Sequence, residues 1–89
     1  MTVEMVVIEG KNITNKEMLW KEVHEKMKLP DYFGNNLDAL ADVLAEQKEK
    51  VQVEILDGQT IEKNLGNYGK AFLKVLERFC IVKKCERFD

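Results

Sequence analysis

Apolar residues recur along this chain with two periods, and these periods predict strands separated by helices. Residues 3–8 form a β-branched run that ends at Gly10, and residues 51–56 alternate valine or isoleucine with polar side chains. Short runs of this kind, followed by turn residues, are typical of strands. We therefore predict a strand at each segment, the second with one face more buried than the other.

Helical spacing occurs in four further segments. In the first, residues 15–28, apolar side chains recur at every fourth position, and Thr14 and Glu17 fit a capping box. Its charged side chains, Glu22 among them, are expected to face water. Pro30 should follow the end of this helix, because the residue before a proline avoids the helical conformation. The remaining helices are predicted over residues 37–47, 59–65 and 68–79, the first of these capped by Asn36.

The order of these elements predicts an α/β fold. Strands separated by helical crossovers run parallel, with right-handed connections. The C-terminal pattern is weak, and both a third strand around Arg87 and Phe88 and a frayed end are compatible with it. No repeat or linker interrupts the chain, so we interpret residues 1–89 as a single domain.

Composition narrows the classes of function. Hydrophobic residues make up 45% of the chain, charged residues 34%, and the net charge at pH 7 is −2. A mildly acidic chain with dispersed lysines does not favour direct binding of nucleic acid, and no apolar run approaches the ~18 residues of a membrane span. The first residues lack the pattern of a signal peptide, so we expect a cytoplasmic location, with Cys80 and Cys85 as reduced thiols.

Negative charge is concentrated in one segment of the chain. Residues 29–47 carry four carboxylates and neither lysine nor arginine. In a helix, the apolar residues of this segment share about a third of the circumference. Asp38, Asp42 and Glu46 then form a row at i, i+4 and i+8 on the other side, where like charges cost an isolated helix about a few tenths of a kcal/mol per pair. A surface for a basic partner and an ordinary solvated face both fit this pattern.

Catalytic and metal-binding interpretations have little support in the sequence. The aspartates lack a third oxygen ligand at EF-hand spacing. A convex helix face also offers no cleft in which burial could raise the pKa of one carboxyl group for acid–base chemistry. The single histidine, His24, is distant in sequence from both cysteines. We therefore expect no enzymatic activity, no cofactor and no metal.

Residues 29–44, LPDYFGNNLDALADVL, resemble the signature segment of the barstar family, the intracellular inhibitors of secreted bacterial ribonucleases. The family pattern runs L-P-x-Y-[YF]-G-x-N-[LW]-D-A-L-x-D-x-L, and this chain matches nearly every fixed position. The resemblance implies a small three-stranded parallel sheet with helices packed against it. It also implies a protein that is a monomer when free and binds one ribonuclease of the guanyl-specific type, one to one.

The resemblance also implies roles for individual residues at the nuclease active site. Asp42 would be the central anchor, with its carboxylate in the place of a phosphate between guanidinium groups. Asp38 would contact a second basic or histidine group, and Tyr32 would lay its ring against a catalytic histidine. Gly34 and Asn36 would supply backbone and polar contacts, the glycine allowing a close approach of backbones.

Other positions in the segment are less clear or depart from the family pattern. Phe33 either joins the binding surface or packs as a loop aromatic over the first helix, and packing is favoured. Ala41 stands where the namesake of the family has a tryptophan, whereas Glu46 adds a carboxylate that could compensate. Arg78 falls where the namesake has an interface glutamate, although a shift of one residue would place Glu77 there. An adaptor whose acidic helix docks on a basic non-nuclease protein remains the alternative function.

Overall fold

The computed structural model describes residues 5–27, 29, 33–48 and 50–85. The elements in chain order are strand β1 (Met5–Glu9), a 3-10 turn (Gly10–Asn12), helix α1 (Lys16–Lys26), helix α2 (Leu37–Ala45), strand β2 (Gln52–Leu56), helix α3 (Gly58–Leu65), helix α4 (Asn67–Phe79) and strand β3 (Ile81–Cys85). None of the helices in these ranges is long and apolar enough to cross a membrane.

The three strands form a parallel sheet in the order β1-β2-β3. Alternate positions on β1 and β2 are buried, as period two requires, and this face of the sheet packs against the helices. The register places Met5, Gln52 and Ile81 side by side, and Met5 and Ile81 are exposed on the opposite face. The predicted α/β fold with a small parallel sheet is confirmed.

One hydrophobic core joins this face of the sheet to the helices. The predicted stripe of α1 is buried at Leu19 and Val23, and Trp20 beside it meets the ring of Phe72 edge-on, with the centroids 6.4 Å apart. The indole Nε1–H donates to the Tyr68 hydroxyl over 3.1 Å, which ties α1 to α4. The core is thus closed mainly by side chains that lie far apart in the sequence.

Two glycines permit close approaches between backbones. A Cβ on Gly10 would lie 2.2 Å from the carbonyl oxygen of Asp57, and one on Gly69 would lie 2.6 Å from that of Ile61. Since Cβ atoms do not approach backbone oxygens this closely, any side chain at either position would force the backbones apart. These glycines hold the end of β1 near the end of β2, and α3 against α4.

The local details differ from the sequence predictions at several points. Asn15, not Thr14, caps α1, because its side chain accepts a hydrogen bond of 2.8 Å from the Met18 amide. Glu22 does not face water: it is buried, and its carboxylate accepts a hydrogen bond of 3.0 Å from the backbone amide of Glu9. That contact satisfies a main-chain donor at the end of β1.

Three element boundaries also differ from the predictions. The third strand lies at Ile81–Cys85, whereas the predicted position around Arg87 and Phe88 is outside the described residues. Helix α2 ends at Ala45, two residues earlier than predicted. Helix α1 already ends at Lys26, before Pro30, which is also outside the described residues.

Both cysteines are free thiols. Cys80, at the end of α4, is buried, and this burial raises the pKa of its thiol to about 11, partly offset by the positive charge of Lys50. A reactive cysteine requires the opposite shift, because the thiolate is the nucleophile. Cys80 is therefore a core residue.

Candidate functional site

The acidic helix α2 is held at both ends by its own sequence. At the N-terminus the Asn36 side chain accepts a hydrogen bond of 2.7 Å from the Ala39 amide, which confirms the predicted cap. At the C-terminus Gln47 donates to two helix carbonyls, from its backbone to Leu44 and from its side chain to Val43, each over 3.3 Å. Backbone groups at both ends of the short helix therefore have side-chain or backbone partners.

The two faces of α2 have opposite character. Leu40 and Leu44 are buried, with 0% and 6% of their surface exposed, in a core to which α4 contributes. Asp38, Asp42 and Glu46 are exposed on the far side. With a rise of about 1.5 Å per residue, successive carboxylates of this row stand about 6 Å apart along the helix axis.

The carboxylates of this row are not neutralised from within the described part of the chain. In the described residues, no side-chain nitrogen of lysine, arginine or histidine lies within 4.0 Å of the carboxylate oxygens of Asp38, Asp42 or Glu46. The salt bridge found in this part of the chain joins Lys84 to Glu77. Asp38 lies in the first turn of α2, where the helix dipole favours a negative charge. Asp42 gains much less from the dipole, and Glu46 stands at the unfavourable end of α2, where the last turn has no basic residue.

The loop that precedes α2 is anchored to α1 by Phe33. This side chain is 8% exposed, and its ring centroid lies 5.7 Å from that of Trp20 and 5.4 Å from that of His24. The packing interpretation of Phe33 over the first helix is thus confirmed. Phe33 supports the loop, and its role as a direct partner contact stays a prediction.

Neither the backbone conformation of Gly34 nor its contacts with the described residues require a glycine at this position. Its backbone φ is not positive, and among the described residues an added Cβ would meet the side-chain nitrogen of Asn36, at 3.4 Å, an ordinary van der Waals distance. That nitrogen donates to the Gly34 carbonyl oxygen, so Asn36 binds the loop as well as capping the helix. Both residues are exposed, and they lie within three positions of the start of α2.

The other predicted positions are placed as follows. Ala41 is half-buried on α2, and Tyr32 lies outside the described residues. Arg78 is exposed near the end of α4, its guanidinium 5.4 Å from the ring centroid of Phe79. Glu77, the alternative to Arg78, is paired with Lys84 and is therefore not an unneutralised acid.

The sequence did not single out the contribution of α1 to this surface. Trp20 and His24 lie one helical turn apart and both face the loop through Phe33. A histidine and a tryptophan at i and i+4 were visible in the sequence, but nothing there indicated which loop they would meet. In the described ranges, no group of three or more histidine, cysteine or acidic side chains converges in a way that could hold a metal ion.

These features define a small parallel α/β protein that presents an acidic helix and a short, anchored loop. Residues 3–87 match the family model described as "Barstar (barnase inhibitor)". A protein of Bacillus subtilis (strain 168) described as "Putative ribonuclease inhibitor YrdF" is 32% identical over 73 residues, which cover 81% of this chain and 80% of that relative. The chain belongs to the barstar family.

Proposed function

We propose that this protein inhibits a bacterial ribonuclease of the guanyl-specific type by plugging its active site with α2 and the loop before it. The observation that carries the proposal is the pair of exposed carboxylates, Asp38 and Asp42, held one turn apart on a capped helix without an internal counter-ion in the described residues. Membership of the barstar family supports the same function. In this proposal the protein acts in the cytoplasm, as a monomer before it binds, and performs no chemistry itself.

The physical basis is mimicry of the substrate. A ribonuclease active site uses cationic side chains to hold phosphate groups, and a carboxylate offers the same negative charge with two acceptor oxygens. Hydrogen bonds between guanidinium and carboxylate groups are shorter and stronger than neutral ones, and they are often bidentate. Because α2 is already ordered, little conformational entropy is lost when its carboxylates bind.

We assign to each residue the role that its place in the family's signature segment implies. Asp42 is the central anchor, and Asp38 contacts a second basic or histidine group. Tyr32 lies against a catalytic histidine, while Asn36 and Gly34 supply a polar and a backbone contact. Glu46 and the small Ala41 lie at the edge of this contact. Because Ala41 stands where barstar itself has a tryptophan, the protein inhibits a ribonuclease different from the one that barstar inhibits, or it binds that ribonuclease more weakly.

The direct test is titration of a panel of guanyl-specific microbial ribonucleases with the purified protein. We expect at least one enzyme to lose its activity at a one-to-one endpoint, with an affinity that falls as salt is raised because exposed charges steer the encounter. Native mass spectrometry of the same mixture should show the one-to-one complex. If no enzyme of the panel is inhibited or bound, the proposal is wrong, and capture of a basic partner without nuclease activity would establish the adaptor instead.

Gly34 provides a variant that separates binding from folding. Since a Cβ at Gly34 would make only ordinary contacts with the described residues, Gly34→Ala should change the free energy of unfolding by no more than about 0.5 kcal/mol. In the complex the same methyl group would stand between two closely spaced backbones, and overpacking of this kind costs about 1–3 kcal/mol. We therefore expect roughly tenfold weaker inhibition at unchanged stability, measured by inhibition titration and urea unfolding.

Gly66→Ala is the matched control for this variant. Gly66 has φ of 60° and ψ of −130° between α3 and α4, a conformation that side chains rarely adopt. This substitution should lower stability by about 1–3 kcal/mol and leave the affinity of the folded protein unchanged. A Gly34→Ala protein that inhibits as well as the wild type would remove Gly34 from the contact surface.

A further inference from the structure

The loop before α2 is held by side chains more than by its own backbone. Among the described residues, no backbone–backbone hydrogen bond joins Phe33, Gly34 or Asn35 to the rest of the chain. A segment without such bonds keeps one conformation only if its side chains fix it. The contacts of those side chains therefore decide whether the loop is ordered before a partner arrives.

Two of these contacts meet at one residue, His24 on α1. Its Nε2 lies 2.7 Å from the side-chain oxygen of Asn35, and its ring meets that of Phe33 edge-on, at an interplanar angle of 77°. An amide oxygen only accepts hydrogen bonds, so Nε2 carries the proton and donates. His24 is itself exposed, and its two contacts reach the loop from outside the core.

The hydrogen bond from His24 reaches the proposed contact surface because of where Asn35 lies in the loop. Asn35 is flanked by Gly34 and Asn36, the two loop residues to which the proposed function assigns direct contacts. The Asn36 side chain in turn binds the Gly34 carbonyl oxygen and the Ala39 amide of α2. A continuous series of contacts thus runs from His24 through the loop to the N-terminus of the acidic helix.

We propose that His24 is a positioning residue that holds the loop of residues 33–36 in its binding conformation through the Nε2–Asn35 hydrogen bond. The inference rests on the proposed function, because it concerns the same surface. His24 need not touch the ribonuclease. Its effect is to keep the free protein in the conformation that binds. If only a fraction of the molecules has this conformation, the apparent affinity falls in proportion to that fraction.

The test uses three substitutions of His24 that differ in where they place a donor. His24→Ala removes the donor, His24→Gln places an amide N–H near the original Nε2, and His24→Asn places one near Nδ1 instead. Glu25→Ala, at the neighbouring exposed position of α1, is the control. Two quantities are measured: the ¹⁵N order parameters of Gly34 and Asn36 in the free protein, and the dissociation constant for the ribonuclease that the wild type inhibits.

We expect His24→Ala to lower the order parameters of the loop from about 0.85 towards 0.6 and to weaken binding about three- to tenfold. His24→Gln should recover most of both, whereas His24→Asn should behave as His24→Ala does. The control should match the wild type, and the urea midpoints of all four variants should agree. Rescue by one amide and not by the other identifies the hydrogen bond, because a general loss of packing would not distinguish them.

Three results would overturn the inference. The loop could keep its order and affinity in His24→Ala, the two amides could rescue equally, or the loop could loosen without any loss of affinity. In each case the proposed function would still stand if Asp42→Ala abolishes inhibition in the same assay. If the wild type binds no ribonuclease, both proposals fail together.

Discussion

Replacement of Asp42 by alanine is expected to weaken inhibition more than any other single change on this surface. The side chain is exposed and the structure shows no described residue that pairs with it, so its removal should leave stability within about 0.5 kcal/mol of the wild type. In the complex the same carboxylate would be enclosed among cationic groups. Truncation of one partner of such a pair costs about 2–5 kcal/mol, a general range to which complexes of barstar itself contributed.

That range corresponds to a loss of affinity of roughly 30-fold or more, since about 1.4 kcal/mol is a factor of ten. Much of the loss would arise because the ribonuclease arginines are left buried without a counter-ion. The measurement is the dissociation constant from inhibition titration, with urea unfolding of each variant to exclude a folding defect. Asp42→Asn, which keeps the shape and removes the charge, should lose almost as much as Asp42→Ala.

The matched control for the charge is Glu54→Gln. Glu54 lies on β2, on the face of the sheet that the helices do not cover, and the substitution changes the net charge by the same amount as Asp42→Asn. We expect Glu54→Gln to alter affinity by less than about twofold, since Glu54 lies on the sheet and not on α2 or its loop, and charges that are distant from a contact are largely screened. Equal losses for the two variants would show that overall charge drives binding, and the anchor role of Asp42 would then be wrong.

Replacement of Phe33 by alanine is expected to have the largest effect on stability among the residues of the site. The ring is almost fully buried between Trp20 and His24. Truncation of a buried phenylalanine costs about 3–5 kcal/mol, which includes the cavity that remains. We expect a loss near 3 kcal/mol, the lower end of the range, because a loop can partly collapse into the space. The measurement is the free energy of unfolding in urea.

Two further variants separate the packing role of Phe33 from a contact with the partner. Phe33→Leu keeps much of the buried volume, so it should retain most of the stability and, if Phe33 only supports the loop, nearly all of the affinity. Phe79→Ala removes a half-buried ring at the end of α4, so it should cost less stability than Phe33→Ala. If Phe33→Ala costs less than about 1 kcal/mol, the ring does not anchor the loop as the structure indicates.

Helix α2 was predictable because its signals are local. The cap at Asn36, the buried stripe through Leu40 and Leu44, and the exposed row through Asp42 all follow from spacing within eleven residues of sequence. A period of 3.6 residues fixes which side chains share a face, whatever the helix packs against. The helix therefore appears in the structure almost as the sequence describes it.

Strand β3 was misplaced because its signal depends on a partner. Within the described sheet it is an edge strand that pairs with β2, and two of its five residues are the exposed lysines Lys83 and Lys84. Edge strands commonly carry lysine, and they lack the alternation of a half-buried central strand. This segment is a strand because it forms hydrogen bonds with β2. Such bonds join residues that are distant in the sequence, so the local pattern of residues does not reveal them.

The sequence by itself determined the α/β class, the cap and faces of α2, and, through its resemblance to the barstar family, which residues to examine for binding. Tertiary structure alone decided that Glu22 is buried beneath the Glu9 amide and that His24 bonds to Asn35 across eleven residues. For Phe33 the sequence favoured packing over the first helix, and the tertiary structure identified Trp20 and His24 as the rings that it contacts. The division has a physical reason: periodicity and capping act within a few residues, whereas burial and hydrogen bonding between elements depend on how those elements pack.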